Sequence, residues 1–163
     1  EIFAMSGGTI EHATVASNIV RELGTALRDR GCRVLGSDMR VKIPAGRYVY
    51  PDASVVCGRP HLDDTVRDTL TNPGVVVEVL SDSSEAYDRG DKFAHYRSVP
   101  SLMHYVLASQ KAPRIEVFTR QSQGGWLLRA YGPGETAALD AIGCELVIDD
   151  VYRGLFEVSA EQG

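Results

Sequence analysis

Val75-Val76-Val77-Glu78-Val79-Leu80 is the stretch whose reading decides the fold. β-branched side chains fill it almost completely, so it reads as a strand, and its apolar residues do not alternate with polar ones, so that strand is buried on both faces. Asn72-Pro73-Gly74 leads into it and Ser81-Asp82-Ser83-Ser84 leads out, both turn-forming runs. One residue contradicts the setting. Glu78 places a carboxylate inside the apolar run, and a buried carboxylate is paired, neutralised or bound to a metal.

Working outward, Tyr48-Val49-Tyr50 runs into Pro51-Asp52 and on into Ala53-Ser54-Val55-Val56-Cys57, a second apolar strand opened by a proline and an acid. The polar segment from Gly58 to Gly74 joins the two strands as a surface excursion with one helical turn. Beyond the central strand, Glu85 to Ser98 is predicted as a second helix, stopped by Val99-Pro100, and Leu102 to Ala108 as a strand. Arg114 to Thr119 and Trp126 to Tyr131 form a hairpin across Gln123-Gly124-Gly125. Glu145 to Ile148 is one more strand, and Asp149 to Val158 a short terminal helix.

On the other side, Cys32 to Leu35 and Asp38 to Ile43 are short strands broken at Gly36-Ser37, with a turn at Pro44-Ala45-Gly46-Arg47. Before them, Ala16, Ile19, Val20, Leu23, Ala26 and Leu27 recur at helical spacing. This predicts a first helix capped by Thr9 and closed at Gly31. Its opposite face, with Arg21, Glu22, Arg28 and Asp29, is a solvated face. Glu1-Ile2-Phe3 reads as the middle of a strand, within Glu1 to Met5, whose start lies outside this sequence. Strands and helices mixed in this order define an α/β (α+β) chain, and residues 1–163 are expected to form a single domain with a full hydrophobic core.

The formal net charge of -5 argues against a strongly basic nucleic-acid surface, although local stripes count for more than the sum. No apolar run approaches the ~20 residues of a membrane span. Cys32, Cys57 and Cys144 are odd in number and far apart, which points to reduced thiols buried in a cytoplasmic protein. His61, His95 and His104 form no zinc-binding pattern, and neither a phosphate-binding loop nor a nucleophile elbow is present.

If the strands carrying Asp52 and Glu78 are neighbours, their carboxylates converge at one end of the sheet. Mg²⁺ or Mn²⁺ is typically held by one or two carboxylates plus waters, and such a cation assists phosphodiester hydrolysis. A fixed positive charge near the attacking water is also needed, and Lys92, just past the turn that leaves the Glu78 strand, is the candidate. Taken singly, Asp52 is a turn residue, Glu78 could pair with Arg89 as a structural salt bridge, and Lys92 beside Asp88 and Asp91 could be a surface charge. His12, beside Glu11, could line the cleft or simply cap the helix.

Pro51-Asp52, Val76-Val77-Glu78-Val79-Leu80-Ser81, Tyr87-Asp88-Arg89-Gly90-Asp91-Lys92-Phe93 and Tyr96, in this order, resemble the Uma-two family of restriction-endonuclease-like proteins within the PD-(D/E)xK nuclease superfamily. The resemblance implies a restriction-endonuclease-like αβββαβ core, a central mixed sheet flanked by helices, with a C-terminal β-hairpin extension. It implies Asp52 and Glu78 as metal ligands, with an acid of the first helix, Glu11 or else Glu22, drawn toward the metal. In the common superfamily pattern a lysine stands two residues after the strand glutamate, where this chain has Leu80. The family places that lysine on the following helix, which matches Lys92. A Mg²⁺-dependent endonuclease acting on DNA is the expected function, with a homodimer as the expected assembly. A nuclease-fold binding or regulatory module without turnover is the alternative.

Overall fold

A computed structural model describes residues 8–156. Helix α1 (Ile10–Ala26) begins at Thr9, whose hydroxyl oxygen accepts from the His12 N–H at 3.0 Å. The chain then builds strands β1 (Cys32–Leu35), β2 (Arg40–Ile43), β3 (Arg47–Val49), β4 (Ala53–Cys57), β5 (Thr69–Leu70) and β6 (Val75–Val79). Helices α2 (Glu85–Arg89) and α3 (Asp91–Arg97) follow, then strands β7 (His104–Ala108), β8 (Ile115–Arg120) and β9 (Trp126–Tyr131). Strands β10 (Thr136–Leu139) and β11 (Cys144–Val147), with a 3₁₀ turn between them, and the short helix α4 (Ile148–Val151) complete it.

The main sheet has the order β1-β4-β6-β7-β8-β9. Neighbours run antiparallel except β6 and β7, which are parallel and joined by the α2–α3 crossover. This is the αβββαβ core. Strands β2, β3 and β5 form a separate small sheet inserted between β1 and β6, the β8–β9 hairpin extends the main sheet, and β10–β11 pair apart.

Because β6 is buried on both faces, its alternating side chains meet two different cores. Val75, Val77 and Val79 pack with Val15, Ile19 and Leu23 of α1. Val76 and Leu80 pack with Phe93 and Tyr96 of α3 and with Tyr105 and Leu107 of β7. Glu78 lies between Val76 and Leu80 in this alternation, so it points to the α2–α3 side.

Several expectations need correction. Cys32 and Cys57 are joined by a disulfide rather than reduced, and Cys57 is exposed; Cys144 is the buried free thiol. The pair looks distant in sequence, but antiparallel β1–β4 pairing makes the two residues direct cross-strand partners. The helix expected from Glu85 to Ser98 is two helices, broken at Gly90, whose ψ of -96° leaves the helical region. The excursion from Gly58 to Gly74 holds the buried strand β5, and β10 was not anticipated. The terminal helix is shorter than expected, its last predicted residues, 157 and 158, lying outside the described residues, as does the strand expected over Glu1 to Met5. Among the described residues no helix is long and apolar enough to cross a membrane.

Candidate functional site

One cleft of about 650 Å³ opens where the end of β6, the start of β4, the N-terminus of α1 and the α2–α3 segment meet. Antiparallel pairing of β4 with β6 sets Ala53 opposite Val77, so Asp52 falls one step further, level with Glu78. Asp52 is fixed there: its Oδ2 accepts the Val79 N–H at 2.7 Å and lies 3.4 Å from Nε2 of His12. The hydrogen bond to Asp52, only partly offset by burial, raises the His12 pKa above its ordinary value.

Glu78 is 4% exposed. Its Oε1 receives two donors from one face of α3, the Lys92 ammonium at 2.8 Å and the Tyr96 hydroxyl at 3.1 Å. Its Oε2 accepts no hydrogen bond among the described residues, and Glu78 lines the cleft. Burial pushes the Glu78 carboxyl up to about 7; Lys92 opposes this, while the negative charges of Asp52 and Asp88 add to it. Burial pulls the Lys92 ammonium down, but Glu78 and Asp88 outweigh it, so its pKa is raised and it keeps its proton. The position two residues after Glu78 explains where the lysine went. Leu80 is packed against Phe93 in the core, and the cation comes down from the helix above.

Asp88 is a cleft residue to which the sequence assigns no role of its own. It is 2% exposed, its Oδ2 accepts the Ser84 hydroxyl at 3.0 Å, and its Oδ1 lies 3.5 Å from the Lys92 ammonium with no hydrogen-bond partner. Its four-residue spacing from Lys92 was the available signal. Burial raises its pKa as well. His12 likewise reaches the cleft, whereas Glu11 and Glu22 do not line it. Arg89 pairs not with Glu78 but with Glu116.

The cleft is thus lined by the carboxylates of Asp52, Glu78, Asp82 and Asp88, with Lys92 on Glu78 and Asp88 and Asp82 paired with Lys111 at its rim. An excess of hard oxygen donors over cations suits a divalent ion of the Mg²⁺ type. Among the described residues no three acidic, histidine or cysteine side chains form a ready-made metal cage. A Mg²⁺ site completed by water and phosphate needs only one or two carboxylates.

Comparison with known proteins agrees with this architecture. A crystal structure of a "putative nuclease" from Anabaena variabilis superposes with a TM-score of 0.71 over 88% of this chain and 81% of that one, at 15% identity, and so shares its fold. Two Synechocystis proteins, slr1290 and sll1609, both named as uncharacterized, are 35% and 33% identical, over 95% and 86% of this chain and 81% and 79% of their own lengths. The model of the Uma2 family, described as "Putative restriction endonuclease", matches residues 1–149, and the chain belongs to that family.

Proposed function

We propose that this protein is a divalent-metal-dependent endonuclease that hydrolyses DNA phosphodiester bonds at the cleft between β4, β6 and α3. The observation that carries the reading is the approach of the Lys92 ammonium to within 2.8 Å of Glu78, in the cleft that Asp52 enters from the neighbouring strand. Family membership supports the same reaction class.

Asp52 and Glu78 would hold Mg²⁺ or Mn²⁺, which when bound polarises the phosphoryl oxygen and lowers the pKa of an attacking water. Asp52 is pre-oriented by the Val79 N–H, so its carboxylate is held in place before any ligand arrives. Lys92 stays protonated, which rules it out as a general base in its resting state. Its role is to orient the water and to offset the negative charge that grows on the phosphoryl group. Tyr96 holds Glu78 from the same helix and fixes the distance between the lysine and the carboxylate.

Incubation of supercoiled plasmid with the purified chain and Mg²⁺ or Mn²⁺ tests the proposal. Nicking or linearisation is expected, with loss of activity in Asp52→Ala and in Lys92→Ala. A well-folded wild-type protein that leaves the plasmid intact with either ion would overturn the proposal and favour the non-catalytic reading.

A further inference from the structure

Asp88 is a buried carboxylate with one oxygen unaccounted for. Its backbone is pinned by the Tyr105 hydroxyl, which donates to the Asp88 carbonyl at 2.9 Å, and its Oδ2 is held by Ser84 at 3.0 Å. Oδ1 alone lacks a hydrogen bond, and it faces the Lys92 ammonium across 3.5 Å. A buried carboxylate oxygen whose nearest donor stays just beyond good hydrogen-bond distance is uncommon, so a fold that fixes one so firmly calls for an explanation.

The explanation lies in a conflict at Glu78. Lys92 rests on Glu78 at 2.8 Å, yet a cation held by the same carboxylate repels an ammonium that close. If Lys92 had no other partner, each would weaken the binding of the other. A shift of roughly half an ångström toward Asp88 would give the ammonium a full hydrogen bond at the ordinary N–H···O distance. Gly90 breaks the helix between the two residues, so Asp88 sits in α2 and Lys92 in α3.

We propose that Asp88 is a positioning residue, the second seat onto which Lys92 moves when Glu78 takes a divalent cation, so that ammonium and cation occupy the cleft together. The inference rests on the reading of Asp52 and Glu78 as cation ligands. Asp88 acts through the lysine and does not itself touch the metal. Also in the cleft are Ser84, which stays on Oδ2, and the carboxylates of Glu78 and Asp52, with Lys92 between Glu78 and Asp88.

Calorimetric titration of the full chain with Mn²⁺ at fixed pH provides the test, using wild type, Asp88→Asn, Lys92→Met and the double variant. Wild type is expected to bind, and Asp88→Asn to bind on the order of tenfold more weakly, as for loss of an outer partner of a metal site. In the Lys92→Met background the Asp88→Asn change is expected to alter affinity by no more than about twofold, because the competing ammonium is gone. The inference is overturned if Asp88→Asn binds as tightly as wild type, or if the tenfold loss persists without Lys92. If wild type binds no Mn²⁺, the cation reading itself fails and the inference goes with it, an outcome distinct from the other two. Should Asp88→Asn not fold, as judged by circular dichroism, Ser84→Ala loosens the same carboxylate. It is then expected to weaken Mn²⁺ binding by a smaller factor that also vanishes in Lys92→Met; an unchanged affinity, or a loss that survives there, overturns the inference equally.

Discussion

Glu78 and Glu116 form a natural comparison. Each is a strand glutamate 4% exposed, and the register Glu78–Leu107–Glu116 puts them in one row across β6, β7 and β8, on the face covered by α2 and α3. Each receives a base from that helical pair. Arg89 meets Glu116 with two parallel hydrogen bonds, 2.9 Å to Oε2 and 2.6 Å to Oε1, and this fork holds the carboxyl below its ordinary pKa against the pull of burial. Lys92 is a single point charge that satisfies one oxygen of Glu78 and leaves the other to the cleft, while Asp52 and Asp88 crowd it with like charge. Surface exposure is the same in both, so exposure alone does not make a site. Glu78 is the more strongly desolvated of the two, and its lysine meets one oxygen where Arg89 meets both oxygens of Glu116.

The largest expected contrast is in activity. Glu78→Gln should lower the initial rate of plasmid nicking by at least about a thousandfold, since it removes a proposed metal ligand, whereas Glu116→Gln should stay within a few-fold of wild type. Equal losses in the two variants would erase the distinction.

In stability the order should reverse. Urea denaturation in the presence of a chelator should show Glu116→Gln destabilised by roughly 1–3 kcal/mol, discounted for the partial exposure of Arg89, and Glu78→Gln changed by less than about 1 kcal/mol. Arg89→Lys keeps the charge but loses the fork, and a cost of about 1–2 kcal/mol is expected in the same measurement.

A last difference lies in pH dependence. Glu78 has a raised folded-state pKa, about 7 against an ordinary 4.5, so the folded state binds its proton more tightly. Its contribution to stability is present below the ordinary value and is lost as pH rises through about 7. Glu116 has a lowered folded-state pKa, so its contribution is present above the ordinary carboxylate value and lost as pH falls. Metal-free denaturation curves from about pH 3 to 8 should therefore flatten between about pH 4.5 and 7 in Glu78→Gln and below the ordinary carboxylate value in Glu116→Gln.

Much of this was legible in the sequence for reasons that are local. The apolar run around Glu78, the helical spacing of Ile19, Leu23 and Leu27, and the glycines joining β8 to β9 each declare an element without help from the rest of the chain. Lys92 could be carried to the site by resemblance, and Leu80 explains its displacement once its packing against Phe93 is visible. The Glu116–Arg89 pair was not legible, and Asp88 only through its four-residue spacing from Lys92, because each depends on which residue of a broken helix faces which strand of the sheet. A charged word such as Tyr87-Asp88-Arg89-Gly90-Asp91-Lys92 looks uniformly solvated until Gly90 divides it. Glu11 was drawn toward the metal by analogy, while its neighbour His12 is the α1 side chain that reaches Asp52.

The disulfide between Cys32 and Cys57, separated by 25 positions, closes a covalent ring that contains the whole β2–β3 hairpin and Asp52 itself. Topologically, Asp52 then belongs to a loop with no free end. A protease that nicks the exposed turn at Pro44 to Arg47 opens the backbone but releases nothing, and the strand that carries the carboxylate stays tied to its neighbour. Under reduction in denaturant the same nick separates the chain into two pieces, one bearing α1 and β1, the other bearing Asp52, Glu78 and Lys92.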